Sequence, residues 1–170
     1  MFTDTTTVEF RCELPDYIAD ALNRESGRMY SMVLTEQWPV YRKKFVWLSQ
    51  YSAMASNDLY NSESFLQAHS VDAAREGFFK AVKTAKALRK KRDARARFPY
   101  KRKKYRTTTW KTSGIKIVGE VRDRVELSLA RGYDNIIINL PQHIEHIVEW
   151  NLSDKTFREM RLVYNKSHKN

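Results

Sequence analysis

The sequence predicts an α+β fold: a β-sheet or barrel assembled from both ends of the chain, with a helical domain inserted between them. Three observations predict it. The opening residues alternate with the period of a strand, a long middle stretch carries helical spacing, and short β-like runs return after residue 113. A lone N-terminal strand needs partners, and the remaining strand-like runs all lie beyond residue 113. The expected division is 1–14 with 105–170 as a discontinuous, incomplete β domain, and 15–104 as the inserted helical domain ending in a basic segment.

Taken in order, residues 5–14 (TTTVEFRCEL) put Val8, Phe10, Cys12 and Leu14 on one side and Glu9, Arg11 and Glu13 on the other. Pro15 then opens a helix, at the position where a missing N–H costs least. Ile18, Leu22, Met29 and Val33 share one face of it, Glu25 interrupts the stripe, and Pro39 is expected to end or kink it. Phe45, Leu48, Ser52 and Ala55 return at helical spacing, and 56–64 (SNDLYNSES) has loop composition. A longer helix is expected over 65–96, with Val71, Ala74, Phe78, Ala81, Val82, Ala85 and Leu88 as its apolar stripe and lysines mostly off it. Phe98-Pro99 stops it. Strands are expected at 115–118, 124–129 and 135–140, separated by turns at Gly119 and Gly132, with further candidates at 144–150 and 157–164.

Charge narrows the function. The chain has 170 residues and a formal net charge of +11, and the excess is concentrated. Residues 75–111 hold 16 basic side chains against Glu76 and Asp93, a net of +14, which leaves the rest of the chain at −3. Such a block marks a solvated surface or a phosphate-rich partner. One cysteine, Cys12, excludes an intrachain disulfide and a zinc site built from several thiolates. The start MFTDTTTVEF has neither the basic residues nor the apolar run of a secretory signal. No run approaches the roughly 18 apolar residues of a membrane span, so a cytoplasmic protein is expected.

The basic segment interleaves its cations with aromatics. Arg89, Lys90, Lys91, Arg92, Arg95, Arg97, Lys101, Arg102, Lys103, Lys104, Arg106 and Lys111 alternate with Phe98, Tyr100, Tyr105 and Trp110. Cations neutralise phosphates, and exposed rings stack on bases at about 1–3 kcal/mol per base. The alternative is a solvated helix end whose aromatics serve the core. Elsewhere the chemistry is thin. His143 and His146 lack the H-E-x-x-H pattern of a metalloprotease helix, and β-branched neighbours favour a strand or loop there. Asp4, Asp16, Asp20, Asp72, Asp123, Asp134 and Asp154 are scattered near turns and helix starts, where capping explains them. No Gly-rich phosphate loop or nucleophile–base pattern is present, so no catalytic residue, metal or cofactor is expected in this chain.

Several segments resemble the N-terminal portion of the TnpB/OrfB family, transposon-encoded RNA-guided DNA nucleases related to Fanzor proteins and type V CRISPR effectors. TVEFRCELP (7–15) is similar to the family's opening strand, which ends at a proline. GRMYSMVL (27–34) resembles its helix with a glycine, a Tyr-Asn pair and a leucine, Ser31 standing where Asn is usual. SFLQAHSVDAAREGFFKAVKTAK (64–86) resembles the helix with a Leu-Gln and then a Phe-Phe pair. FPYKRKK (98–104) stands at the lysine-rich Pro-Arg-Phe-Lys motif, without its Arg-Phe, and GIKI, RVELSLARG and IIINLP resemble the strand series that follows. The family's RuvC-like acids and Cys-x-x-Cys zinc ribbon are not in this sequence, so the resemblance implies a fragment, a split product or an isolated recognition portion.

The resemblance implies a wedge-like β-barrel carrying a helical recognition domain, which would bind guide RNA, the guide–target duplex and a DNA motif beside the transposon end. Gln67 and Ser64 would face that motif, and Lys80, Lys83 and Lys86 through Arg97 would track backbone. Lys101 to Lys104 would lie at the junction with the barrel. Partners would be guide RNA, double-stranded and target-strand DNA and a separately encoded RuvC half, with Mg and Zn confined to that half. Base pairing would read the target while the protein reads shape and the adjacent motif. The competing reading is a stand-alone small basic DNA- or RNA-binding regulator.

Overall fold

The structure, a computed structural model, describes residues 7–55, 64–93, 95–119, 123–141 and 158–163. Among these it is a mixed helix-and-sheet fold with three α-helices and two antiparallel sheets, and the described strands do not close a barrel.

Helix α1 (Asp16–Lys44) starts where the sequence expects, with the Pro15 carbonyl accepting from the N–H groups of Ile18 and Ala19. Asp16 lies in its first turn and Arg42, Lys43 and Lys44 in its last, each charge complementing the helix dipole. Pro39 neither ends nor marks the boundary of this helix, contrary to expectation. It falls on the exposed side, and one residue pair later Tyr41 stacks on the Trp47 ring at 4.3 Å and 10°. Tyr41 also meets the rings of Trp38 and Phe98, and these contacts together offset the roughly 3 kcal/mol cost of an interior proline.

The helix ends at Phe45, which caps it in the left-handed conformation (φ 53°) and donates its N–H to the Tyr41 carbonyl at 2.8 Å. Phe45 and Leu48 therefore do not continue a helix; both are exposed, and α2 (Gln50–Ala55) is a separate element capped by the Ser49 hydroxyl. A left-handed L-residue costs about 1–2 kcal/mol, and the Phe45 side chain, 79% exposed, returns little of it. Phe45→Gly is expected to stabilise the protein by about 0.5–1 kcal/mol, after allowing for glycine's greater freedom in the unfolded chain. A thermal melt checks this, and an unchanged or lowered midpoint would refute it.

Helix α3 (Ala68–Lys90) is shorter than the expected 65–96. It begins at the Gln67 cap and ends at Lys91, where Arg92 turns left-handed (φ 60°), well before Phe98-Pro99. Val71, Ala74, Phe78, Val82 and Ala85 bury at steps of three and four, as the pattern predicts, whereas Leu88 is exposed.

The first sheet pairs β1 (Thr108–Lys111) with β5 (Glu159–Leu162), Thr108 opposite Leu162 and Lys111 opposite Glu159. A 3₁₀ turn (Thr112–Gly114) leads into the second sheet, the meander β2 (Ile115–Val118), β3 (Arg124–Leu127) and β4 (Ile136–Asn139). Gly119 and Gly132 both adopt positive φ, as turn residues there should. The expected strand at 144–150 lies outside the described residues.

Residues 7–14 are not a strand. Their alternation holds from Phe10 on: Phe10, Cys12 and Leu14 are half-buried against the core while Glu9, Arg11 and Glu13 are exposed, but Val8, expected on the inward side, is exposed too. They contribute apolar side chains without a backbone ladder.

Two apolar clusters hold these elements. One joins Leu22 and Met29 of α1 and Leu66, Val71 and Ala74 near α3 to Trp110, Val125, Leu127, Ile136 and Ile138 of the strands. The other is aromatic and lies between α1 and α3, with Tyr30, Trp47 and Phe78 buried and Trp38, Tyr41, Phe79 and Phe98 packed around them.

Candidate nucleic-acid interface

The basic segment after α3 does not leave the protein. It runs back along α1, meeting that helix from its C-terminal half towards its N-terminal half. Phe98 packs edge-on to Tyr41 and Trp47, and the Trp38 indole N–H donates to the Pro99 carbonyl at 2.9 Å. The Ser31 hydroxyl accepts from the Lys103 N–H at 2.9 Å and donates to the Lys103 carbonyl at 3.2 Å. At Gly27 the two backbones touch: a Cβ there would stand 2.7 Å from the carbonyl oxygens of both Lys103 and Lys104. The Arg106 N–H donates to the Asn23 carbonyl, and the Asn23 side-chain oxygen accepts from both the N–H and the hydroxyl of Thr108. Ser26 and Thr108 share a buried hydroxyl–hydroxyl bond at 2.8 Å.

This clasp explains two buried polar residues and one glycine on α1. Buried polar groups persist where their hydrogen bonds are satisfied, and Asn23 and Ser26 are satisfied by the returning chain. The clasp also feeds β1, which the sequence reading did not separate from the basic run: Thr108 and Trp110 point inward and Thr109 and Lys111 outward.

Arg106 is the cation the clasp fixes most firmly. Its guanidinium lies 4.6 Å from the Tyr30 ring centroid and covers Gly77 of α3 so closely that any Cβ at residue 77 would overlap it. Burial lowers its pKa from the ordinary arginine value, and burial likewise raises that of the Tyr30 phenol. Beside it opens a groove of about 600 Å³ between α3 and the first sheet, whose walls include Lys80, Lys103, Lys111, Arg161 and Glu159. Lys80 pairs with Glu76 at 3.1 Å, and Lys111 with Glu159 at 2.9 Å. The hydrogen bond from Lys111 is the main reason the Glu159 carboxyl titrates below its usual range.

The remaining sequence-predicted residues fall into three groups. Lys83, Lys86, Lys90, Lys91, Arg92, Arg95, Arg97, Lys101, Arg102, Lys103 and Lys104 are exposed, along α3 and the segment that follows it. Arg89 is exposed too, its guanidinium 4.4 Å over the Phe98 ring and donating to the Ala96 carbonyl. The aromatics are mostly engaged within the protein. Trp110 is buried (1% exposed), its indole N–H donating to the Ser128 carbonyl at 3.0 Å. Phe98 is in the aromatic cluster, and Tyr105 is flanked by Arg24, which donates to its hydroxyl, and by Lys104. Tyr100 is half-exposed, with Lys101 near its ring. Ser64 and Gln67 cap local backbone: the buried Ser64 hydroxyl accepts from the Leu66 N–H, and the Gln67 side-chain oxygen accepts from the His69 N–H.

Sequence reasoning passed over Arg161, Gly27, Gly77, Asn23 and the role of Ser31. The two glycines were the available signal, since an isolated glycine in a helical pattern marks a close approach. Among the described residues, no group of three His, Cys, Asp or Glu is placed to hold a metal ion, and no helix is long and apolar enough to cross a membrane. His143 and His146 lie outside the described residues.

No protein-family model matches this chain, and no curated protein sequence matches it significantly.

Proposed function

We propose that this chain binds nucleic acid through the phosphate backbone, using the exposed cations of α3 and of the segment 95–104 together with the groove beside Arg106. One observation carries the reading: a segment of net charge +14 is folded against the protein by side-chain bonds to α1, and all of its cations but Arg75, Arg106 and Lys111 remain exposed. A block of like charge gains nothing from being held together unless an opposite charge meets it. Along α3, Lys80, Lys83, Lys86 and Lys90 recur every three or four residues, a rise of about 5 Å per step. The row is a strip of cations on the helix, able to neutralise phosphates along a strand.

Because three of the four interleaved rings are engaged within the protein, the contact is to backbone and shape more than to stacked bases. The finer reading takes its partner from the resemblance to TnpB/OrfB proteins. In it the chain is the wedge and recognition portion of an RNA-guided nuclease, gripping guide RNA and the guide–target duplex and reading an adjacent DNA motif. That portion cleaves nothing by itself.

The test is a binding titration at about 50 and 200 mM salt. If about 6–10 phosphates are neutralised, affinity falls about 10³- to 10⁵-fold across that interval. Absence of binding to duplex DNA, duplex RNA and single-stranded RNA at the lower salt would end the nucleic-acid reading. A structured RNA derived from a transposon end, compared with an unrelated RNA of equal length, tests the finer one. Selective binding that survives the higher salt supports a guide-binding lobe, and equal binding to both refutes it.

A further inference from the structure

We propose that Arg106 is a fixed seat for one backbone phosphate of the bound nucleic acid, with Lys80, Lys103 and Lys111 forming the rim of the groove that admits it. This deepens the nucleic-acid reading and rests on it. Three features separate Arg106 from the surface lysines.

Its position is determined on every side. The main chain is tied by its N–H to the Asn23 carbonyl, and the guanidinium is held between the Tyr30 ring and the bare backbone of Gly77. An exposed lysine must give up several rotamers to hold an anion, whereas this fork is already immobilised.

Its charge is uncompensated. Among the described residues no carboxylate lies within ion-pairing distance of Arg106, and the two acids that share its groove, Glu76 and Glu159, are each bonded to a lysine. A guanidinium partly removed from water, with its pKa lowered by burial, gains more from an arriving anion than a solvated one does.

The opening fits the ligand. A groove of about 600 Å³ is in the range of pockets that accept nucleotide-sized groups. With the two acids counted against them, the cations lining the groove still prevail, five against two, which favours a phosphodiester flanked by further phosphates over a single free anion. Phosphate oxygens take two parallel N–H donors from arginine, a geometry lysine cannot reproduce.

The experiment measures binding of an oligouridylate and of a DNA duplex, each roughly 20 residues long, to the full chain and four variants, with a thermal melt of each. Arg106→Gln is expected to weaken binding about ten- to a hundred-fold and to reduce the salt slope by about one. Arg106→Lys keeps the charge and should still lose about tenfold. Gly77→Ala keeps every charge and pushes only the side-chain end of Arg106 out of its seat, so it should fold normally and also bind more weakly. Lys90→Gln removes one flexible cation of the α3 row, so it should also lower the salt slope by about one, but weaken binding only about threefold, less than either change at Arg106.

The proposal is overturned if Arg106→Lys and Gly77→Ala bind like the unaltered chain, or if Arg106→Gln costs no more than Lys90→Gln. In either case the nucleic-acid reading survives, because the unaltered chain still binds. Failure of the unaltered chain to bind removes both. Two competitors identify the occupant. Inorganic phosphate displacing the oligonucleotide at millimolar concentration would assign the seat to a free anion, and polyglutamate competing equally per charge would assign it to an acidic protein; each result would refute the phosphodiester.

Discussion

Replacing Trp110 by alanine is expected to destabilise the protein by about 3–5 kcal/mol, a large fraction of the roughly 5–15 kcal/mol that holds a single domain folded. The ring is the largest side chain in the core that is almost wholly buried, and it joins α1, α3 and the strands in one cluster. Truncation empties that volume and leaves the Ser128 carbonyl without its indole donor. A urea titration measures the effect. The outcome separates two roles the sequence left open for this residue. If Trp110 stacks on a base, the variant keeps its stability and loses about 1–3 kcal/mol of binding. If it is core, stability collapses first.

The second large effect is at Gly27. Alanine normally favours a helix interior over glycine by about 1 kcal/mol, so propensity alone predicts that Gly27→Ala stabilises α1. The structure reverses the sign. The new methyl meets two backbone carbonyl oxygens at 2.7 Å, and backbone cannot rotate out of the way as a side-chain end can. Lys103 and Lys104 must lift, which stretches both Ser31–Lys103 hydrogen bonds, each worth about 1 kcal/mol. Overpacking and these losses together exceed the propensity gain, giving a net destabilisation of about 1–3 kcal/mol. Faster proteolysis within the lysine-rich 101–104 segment should accompany it. A Gly27→Ala protein as stable and as protease-resistant as the original would show that the clasp is not tight. Gly77→Ala is the internal contrast, because there the obstructing group is a side-chain end that the added methyl can push aside into the groove.

These two sites also mark what the sequence could and could not convey. The α3 stripe and strands β2, β3 and β4 were legible because each depends on a local period: a helix repeats every 3.6 residues and a strand every two, whatever lies opposite. Element ends were less legible. Pro39 reads as a stop by its own chemistry, and only the aromatic stacking of Tyr41 on Trp47 shows why the helix passes it. The alternation identified the inward row at Phe10, Cys12 and Leu14 but not at Val8, which is exposed, and alternation does not report whether a ladder partner exists. The charge block was plain as composition, and its anchoring was not. Asn23, Ser26 and Ser31 are ordinary polar helix residues until the chain returns some 72 to 85 positions later to use them. Strand β1 stayed hidden because TTTWK sits at the end of a run whose cations dominate any pattern.

The clasp has a consequence for the order of events during synthesis. Its two halves are separated by 85 residues at Asn23 and Thr108. At about 5–20 residues per second, α1 leaves the ribosome roughly 4–17 seconds before the segment that completes it. Throughout that interval the polar row on α1 is hydrated and the cationic stretch, as it emerges, is untethered. A polyanion close to the nascent chain therefore meets those cations while they are untethered, and because Lys101 to Lys104 face outward in the docked segment, it stays bound as 103–108 closes onto α1.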